Sequence, residues 1–373
     1  MQALLAGDQE SVVAQIHQAL LREGLDCPFS HVVRLEFAAD RLAQIQPELL
    51  VVALSTDPER SVRVLEWLEN LPRHPGTRVL AVGPAADSKL VLRALRGAVD
   101  DYLDQSDLDV ELDSALARWR ASVAVQQDAG RVIALLAPSG GSGSSTLAAN
   151  VAASLAQKHK SALLIDLKLE AGDLAALLDL KPTHSLADLC LNVNRMDRVL
   201  FERSLVRHAS GAHLLAPPLQ FTDVEHVTAE GVRRVLVMAR SLFPYVVADL
   251  DHNFHEEQVE VLHQAEPILV VFRLDFASLR NTRRTLDHLD RLGIRRQQLR
   301  LVVNRYGQPK EIPFAKAEEA LGAKIFHYVP DDPKAVNRAN NNGMPVVLES
   351  PSAKVARSVM RLAESVNGKY EKP

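Results

Sequence analysis

Apolar residues along this chain gather into short continuous runs, and between the runs they recur every three or four positions. Segments 49–54, 132–136, 162–167, 245–250 and 268–272 are such runs, broken only by one aspartate in two of them. A run of that length reads as a strand buried on both faces, the situation of a parallel sheet covered by helices. A first series predicts strands over 2–6, 49–54, 78–82 and 101–103, with helices over 10–23, 60–70, 89–96 and 108–126. A second series predicts strands over 132–136, 162–167, 213–216, 245–250, 268–272, 299–304 and 325–328. Its helices begin with 144–158 and end with 353–366. Strands alternating with helices imply βαβ units, so the expected class is α/β with two doubly wound parallel-sheet domains, 1–125 and 126–373.

Composition narrows the function classes. The chain has 373 residues, 47% of them hydrophobic and 24% charged, as expected of folded α/β material. Cys27 and Cys190 are the two cysteines, too few for a disulfide framework or a cysteine metal site, which points to a reducing cytoplasm. No apolar run approaches the roughly 18 residues of a membrane span, and the N-terminus reads as a strand rather than a signal peptide. Residues 1–125 carry 12 basic against 19 acidic side chains, and the remainder 31 against 28. Neither balance has the basic excess of a nucleic-acid binder, so DNA is not the expected partner.

The chemistry concentrates in Pro138-Ser-Gly-Gly-Ser-Gly-Ser-Ser-Thr146, between a predicted strand and a predicted helix. Gly140, Gly141 and Gly143 let backbone N–H groups converge on a phosphate, and the following helix adds its positive N-terminal end. By itself the loop is equally a tight strand-to-helix turn without a ligand. A phosphate loop ends Gly-Lys-Ser/Thr, with the lysine on the phosphates and the hydroxyl on magnesium. Here Ser144 stands at the lysine position, and Ser145 and Thr146 keep their hydroxyls.

Taken with motifs further along the chain, the loop resembles that of the ParA/MinD group of deviant P-loop ATPases. The resemblance places the group's signature lysine on Ser139 and its P-loop lysine on Ser144, so both ammonium groups are missing. Its Asp-x-Asp strand falls on Leu163-Leu-Ile-Asp-Leu-Lys168. Asp166 matches the first aspartate, and Lys168 replaces the second, which orients the attacking water. Tyr245-Val-Val-Ala-Asp249 matches the magnesium-binding strand, so Ser145 and Asp249 are the implied metal pair. Asn304 matches the adenine-reading asparagine, and Pro330 with 338–343 the loop closing over the base. ATP and magnesium are the implied ligands. Charge-assisted hydrogen bonds contribute about 1.5–3 kcal/mol each, so losing two lysines weakens nucleotide binding by about two to four orders of magnitude. Hydrolysis is expected to be lost or very slow. Lys168 has two readings: an ammonium that restores part of the affinity, or a solvent-facing side chain pairing with Glu170 or Asp173.

The front series resembles a response-regulator receiver, a flavodoxin-type fold. Asp8 ends its first strand, and Leu92–Leu103 resembles its last helix–strand unit. Ala53 occupies the phosphoacceptor position and Gln105 the lysine position, so no aspartyl-phosphate chemistry is expected, and Asp8 reads as a solvated strand-end carboxylate. A degenerate receiver ahead of a ParA/MinD-like domain is similar to the CpaE/TadZ family, which localises type IVb (Flp, tight-adherence) pilus assembly machinery, often at a cell pole. That implies a cytoplasmic homodimer working with pilus or secretion assembly proteins and a polar localisation factor. Two alternatives stand beside it: a slow ATPase cycling between monomer and ATP-bound dimer, and a nucleoid-binding partition protein. The arginines at 280, 283, 284, 291, 295, 296, 300 and 305 read as a solvated or acidic-partner face. His252 and His255 read as a polar loop without a third metal ligand. Nothing after Val366 has an apolar helical stripe, so no direct membrane attachment is expected.

Overall fold

A computed structural model describes residues 2–367 except 56, 72–76, 86–87 and 96–98; the side chains of 58, 120–128 and 194 are also left aside. The tail beyond Asn367 and part of the expected 92–103 unit therefore lie outside the described residues. The chain divides into two compact units, residues 1–126 and 127–373.

In the front unit, strands β1 (Ala3–Ala6), β2 (Val32–Val33), β3 (Leu49–Ala53), β4 (Arg78–Gly83) and β5 (Asp101–Asp104) pair in the order β2-β1-β3-β4-β5. Every pairing is parallel, the doubly wound order of flavodoxin-type sheets. Successive residues face opposite layers. Ala3, Leu5, Leu49 and Val51 pack against helices Glu10–Arg22 and Leu108–Asp128, while Leu4, Ala6, Leu50 and Val52 pack against Ala38–Ile45 and Pro58–Glu69. Each fully buried Leu or Val contributes about 1.5–3 kcal/mol, which is why the apolar runs define this sheet. The two-residue β2 has no periodicity to read and was not anticipated.

At the end of β3, Ala53 is buried, and Gly7 lies so close that a Cβ there would stand 2.7 Å from the Ala53 Cβ and 2.8 Å from Val13. A side chain at position 7 would therefore collide with Ala53 and Val13. Asp8 accepts the Leu35 N–H at 3.3 Å and is exposed.

Among the described residues the second unit has eight strands: β6 (Arg131–Leu136), β7 (Ala162–Leu167), β8 (Val206–Arg207), β9 (Ala212–Leu215), β10 (Tyr245–Leu250), β11 (Ile268–Phe272), β12 (Leu299–Tyr306) and β13 (Ile325–Pro330). Their order is β13-β12-β11-β6-β10-β7-β9-β8, parallel except for the β8–β9 pair at one edge. Val132, Ala134 and Leu136 face helices Ala229–Leu242 and Glu256–Gln264, and Ile133 and Leu135 face helices Ser144–His159 and Lys354–Asn367. Helix Ser144–His159 buries Ala148, Ala149, Ala152, Ala153 and Ala156, and these small side chains seat it close on the sheet. The central strands β6, β7 and β10 are thereby held in fixed register, with Asp249 level with Asp166 and with Leu135. Among the described residues, no helix is long and apolar enough to cross a membrane.

Candidate functional site

The site forms at the carboxyl ends of β6, β7 and β10, where open parallel sheets leave a crevice. The loop leaving β6 turns on Gly141 (φ 74°) and Gly143 (φ 86°), left-handed conformations that L side chains rarely adopt. Gly143 also meets Asn304, whose amide donates to the Ser142 carbonyl at 2.7 Å, so a side chain at 143 would collide with it. Gly140 has open space around it and Ser139 is half-buried. The loop leads into helix Ser144–His159, whose first N–H groups have no acceptor within the helix.

Lys168 dominates what lies beneath the loop. Its ammonium donates to Ser144 Oγ at 2.8 Å and to Ser145 Oγ at 2.7 Å, and lies 3.2 Å from Asp249 Oδ2. Two of the ammonium's three N–H donors thus go to the serine hydroxyls, and its charge is paired with Asp249. Of the two readings of Lys168, pairing with Glu170 or Asp173 in solvent is overturned: its side chain is 18% exposed and turned inward. The other reading, Lys168 as a phosphate ligand, concerns an ammonium that already serves Ser144 and Ser145 within the protein.

Burial explains why the lysine turns inward. Asp249 and Asp166 are both 0% exposed and sit level on adjacent strands. Asp249 accepts no well-aligned hydrogen bond, and burial raises its pKa, opposed first by the Lys168 ammonium and then by the Ser145 hydroxyl. Asp166 is raised to about 7, by burial first and then by the Asp249 charge; the N–H groups of Leu174 and Lys168, each at 3.1 Å, act the other way. An isolated buried carboxylate is costly, and the ammonium is what balances this pair. Gly172 closes the loop over Asp166, where any Cβ would lie 2.6 Å from its Oδ2. Sequence reasoning did not single out Gln258. Its buried amide donates to the Leu167 carbonyl at 2.6 Å and accepts from Asp251 N–H at 3.1 Å, tying the ends of β7 and β10 together.

Ser145 and Asp249, the pair expected to hold magnesium, both lie against the Lys168 ammonium. Magnesium needs oxygen ligands at about 2.0–2.1 Å in octahedral array. Here an ammonium already bridges both oxygens. A dication placed about 4 Å from it would meet a repulsion of roughly 8 kcal/mol at an effective dielectric of 20. The residues present do not fit the metal.

Beside the loop is a concavity of about 210 Å³ lined by Gly143, Thr146, Asn304, Pro330, Asp332 and Asn340, among others. The structure thus brings the predicted base-site residues Asn304 and Pro330 to the same wall as Thr146, separate from the Lys168 cluster. Asn150 supports this wall, donating to the Thr146 carbonyl at 2.8 Å and accepting the Val347 N–H at 3.0 Å.

The other candidates are dispersed. His252 pairs with Asp251 and His255 with Glu257, and among the described residues no three His, Cys, Asp or Glu side chains are grouped to hold a metal. In the arginine-rich segment, Arg283 pairs with Asp287 at 3.2 Å and donates to the Ala320 carbonyl. Arg284 and Arg291 line an open cleft with His252 and His288.

A parallel sheet with a glycine loop between its central strand and an alanine-rich helix, and with aspartates at the ends of β10 beside that strand and of β7 beyond it, defines a nucleotide-binding domain of the P-loop kind. The CobQ/CobB/MinD/ParA nucleotide binding domain matches residues 133–346, and the chain belongs to this family. It is 24% identical over 243 residues to an uncharacterised ATP-binding protein of Methanocaldococcus jannaschii, covering 64% of this chain and 89% of that one. It is 23% identical over 248 residues to the septum site-determining protein MinD of Thermotoga maritima, with the same coverage. The fold is similar to that of a ParA family ATPase from Chlorobium tepidum, with a TM-score of 0.60 and 24% identity over 64% of this chain and 98% of that one. It is also similar to MinD of Pyrococcus horikoshii complexed with Mg-ADP, with a TM-score of 0.55 and 20% identity over 64% and 96%.

Proposed function

We propose that this chain is a non-hydrolysing scaffold that positions type IVb (Flp) pilus or secretion assembly machinery, often at a cell pole. The observation that carries the non-hydrolysing part is the Lys168 ammonium engaged with Ser144, Ser145 and Asp249. Phosphoryl transfer works by positioning the γ-phosphoryl group and neutralising its charge. In this chain the two loop lysines are serines, the water-orienting aspartate is a lysine, and the remaining carboxylate is neutralised internally. What the domain retains is a rigid surface with a weak nucleotide site, suited to dimerising and to holding an assembly protein.

The pilus assignment draws its support from the combination of domains. A flavodoxin-order front unit with Ala53 at the acceptor position precedes a ParA/MinD-like domain, the arrangement of the CpaE/TadZ family. In this reading the front unit binds the polar localisation factor, and the chain acts in the cytoplasm at the inner face of the membrane through its partners. Two measurements test the proposal. Phosphate release by the purified full chain with ATP and magnesium is expected at background; turnover that disappears in Asp249→Ala refutes the non-hydrolysing role. In the native host, a fluorescent fusion is expected to mark the sites of pilus assembly, and deletion to abolish piliation. Normal piliation after deletion overturns the assignment.

A further inference from the structure

The relatives this chain resembles include one complexed with Mg-ADP, yet the pair of oxygens that would take the metal here is already bridged. We infer that this site excludes divalent metal, with the Lys168 ammonium as its permanent cation, and that any nucleotide the loop accepts is accepted metal-free. The second half rests on the reading of the domain as a nucleotide holder; the first half does not.

Three observations carry the inference. Lys168 Nζ lies 2.7 Å from Ser145 Oγ and 3.2 Å from Asp249 Oδ2, the two oxygens of the expected metal pair. Its third contact, 2.8 Å to Ser144 Oγ, falls on the residue at the lysine position of the loop, so the lysine that replaces the aspartate meets the serine that replaces a lysine. Asp249 is wholly buried and accepts no well-aligned hydrogen bond, so the ion pair is what balances its charge. A metal entering here must displace that ammonium from a buried carboxylate and two hydroxyls, and must leave it uncompensated against a dication. Lys168 is also well placed to stay, since it follows directly on β7 and its own N–H is fixed to Asp166 Oδ1 at 3.1 Å. The loop's phosphate-facing groups are backbone N–H donors and a helix N-terminus, neither of which requires a metal. Magnesium held on ATP would bring a second cation toward the ammonium, so the metal-free nucleotide is the better ligand.

The test measures ATP affinity of the full chain by calorimetry, in EDTA and in excess magnesium. Equal or tighter binding in EDTA is expected. Tightening by magnesium of about tenfold or more, the effect of one lost charge-assisted contact, overturns the inference. Binding in neither condition refutes the nucleotide-holding reading alone. Metal exclusion is then decided by Mn²⁺ without nucleotide, followed by water proton relaxation. Lys168→Asp, which restores the family's aspartate beside Asp166 and Asp249, is expected to bind Mn²⁺ about tenfold or more tightly than wild type. If the variant binds no better than wild type, exclusion by Lys168 is wrong. Lys168→Asn removes the ammonium without adding charge and takes the same measurement should the aspartate variant not fold.

Discussion

Removing the Lys168 charge while keeping its length, as in Lys168→Met, strands a carboxylate that has no exposure to water. At the observed 3.2 Å separation, Coulomb attraction is about 5 kcal/mol at an effective dielectric of 20. Breaking a buried pair by deleting one partner costs about 3–5 kcal/mol. The loss has a ceiling, because Asp249 can escape by taking a proton. Protonating a carboxylate of ordinary unfolded pKa near 3.9 costs about 4 kcal/mol at pH 7 and about 1.5 kcal/mol at pH 5. A carboxyl whose folded pKa lies above its unfolded value stabilises fully below the unfolded pKa and loses that stability as pH rises. The difference between wild type and Lys168→Met is therefore expected to grow from about 1 kcal/mol at pH 5 to about 3–4 kcal/mol at pH 7, a fall in melting temperature on the order of 10 °C. Urea unfolding by circular dichroism reads this. Trp67 and Trp119, the two tryptophans, belong to the front unit, so their fluorescence follows that unit apart from the circular-dichroism signal of the whole chain. The added variant Asp249→Asn should recover much of the loss, giving a coupling of at least about 1 kcal/mol in the double-mutant cycle. A destabilisation independent of pH, or a cycle without coupling, refutes the argument.

The packing sets two further outcomes. Incubation of the full chain with acetyl phosphate should leave the intact mass unchanged, because Ala53, buried at the end of β3, offers no carboxylate; an added phosphoryl group refutes this. The thiols of Cys27 and Cys190, both buried and pushed up to about 11 mainly by that burial, should resist iodoacetamide at pH 8 until denaturant is added. Rapid native alkylation of either would show that its surroundings open far more readily than the packing indicates.

Both sheets were legible in the apolar runs because a strand buried on both faces of a parallel sheet has no polar face to hide it. Residues 49–53, 132–136 and 245–250 announce themselves without any partner being known. The two-residue strands β2 and β8 were not legible, since they sit at sheet edges and are too short to show a period. The glycine loop and the aspartates at 166 and 249 could be placed from their order along the chain. Their meaning could not, because it depends on where one flexible side chain ends. From the sequence, Lys168 has four rotatable bonds and two kinds of carboxylate in reach: solvated Glu170 and Asp173 nearby in the chain, and Asp249 far along it. Only the register of β7 against β10 brings Asp249 level with Asp166 and beside the lysine. Desolvation then decides the pairing, since an exposed ion pair is worth about 0–1 kcal/mol whereas an uncompensated buried carboxylate costs several. Sequence alone determined that the family's catalytic residues are replaced. The tertiary structure decided that the replacement lysine pairs with Asp249 and the two serine hydroxyls, because burial makes Asp249 the partner it cannot leave.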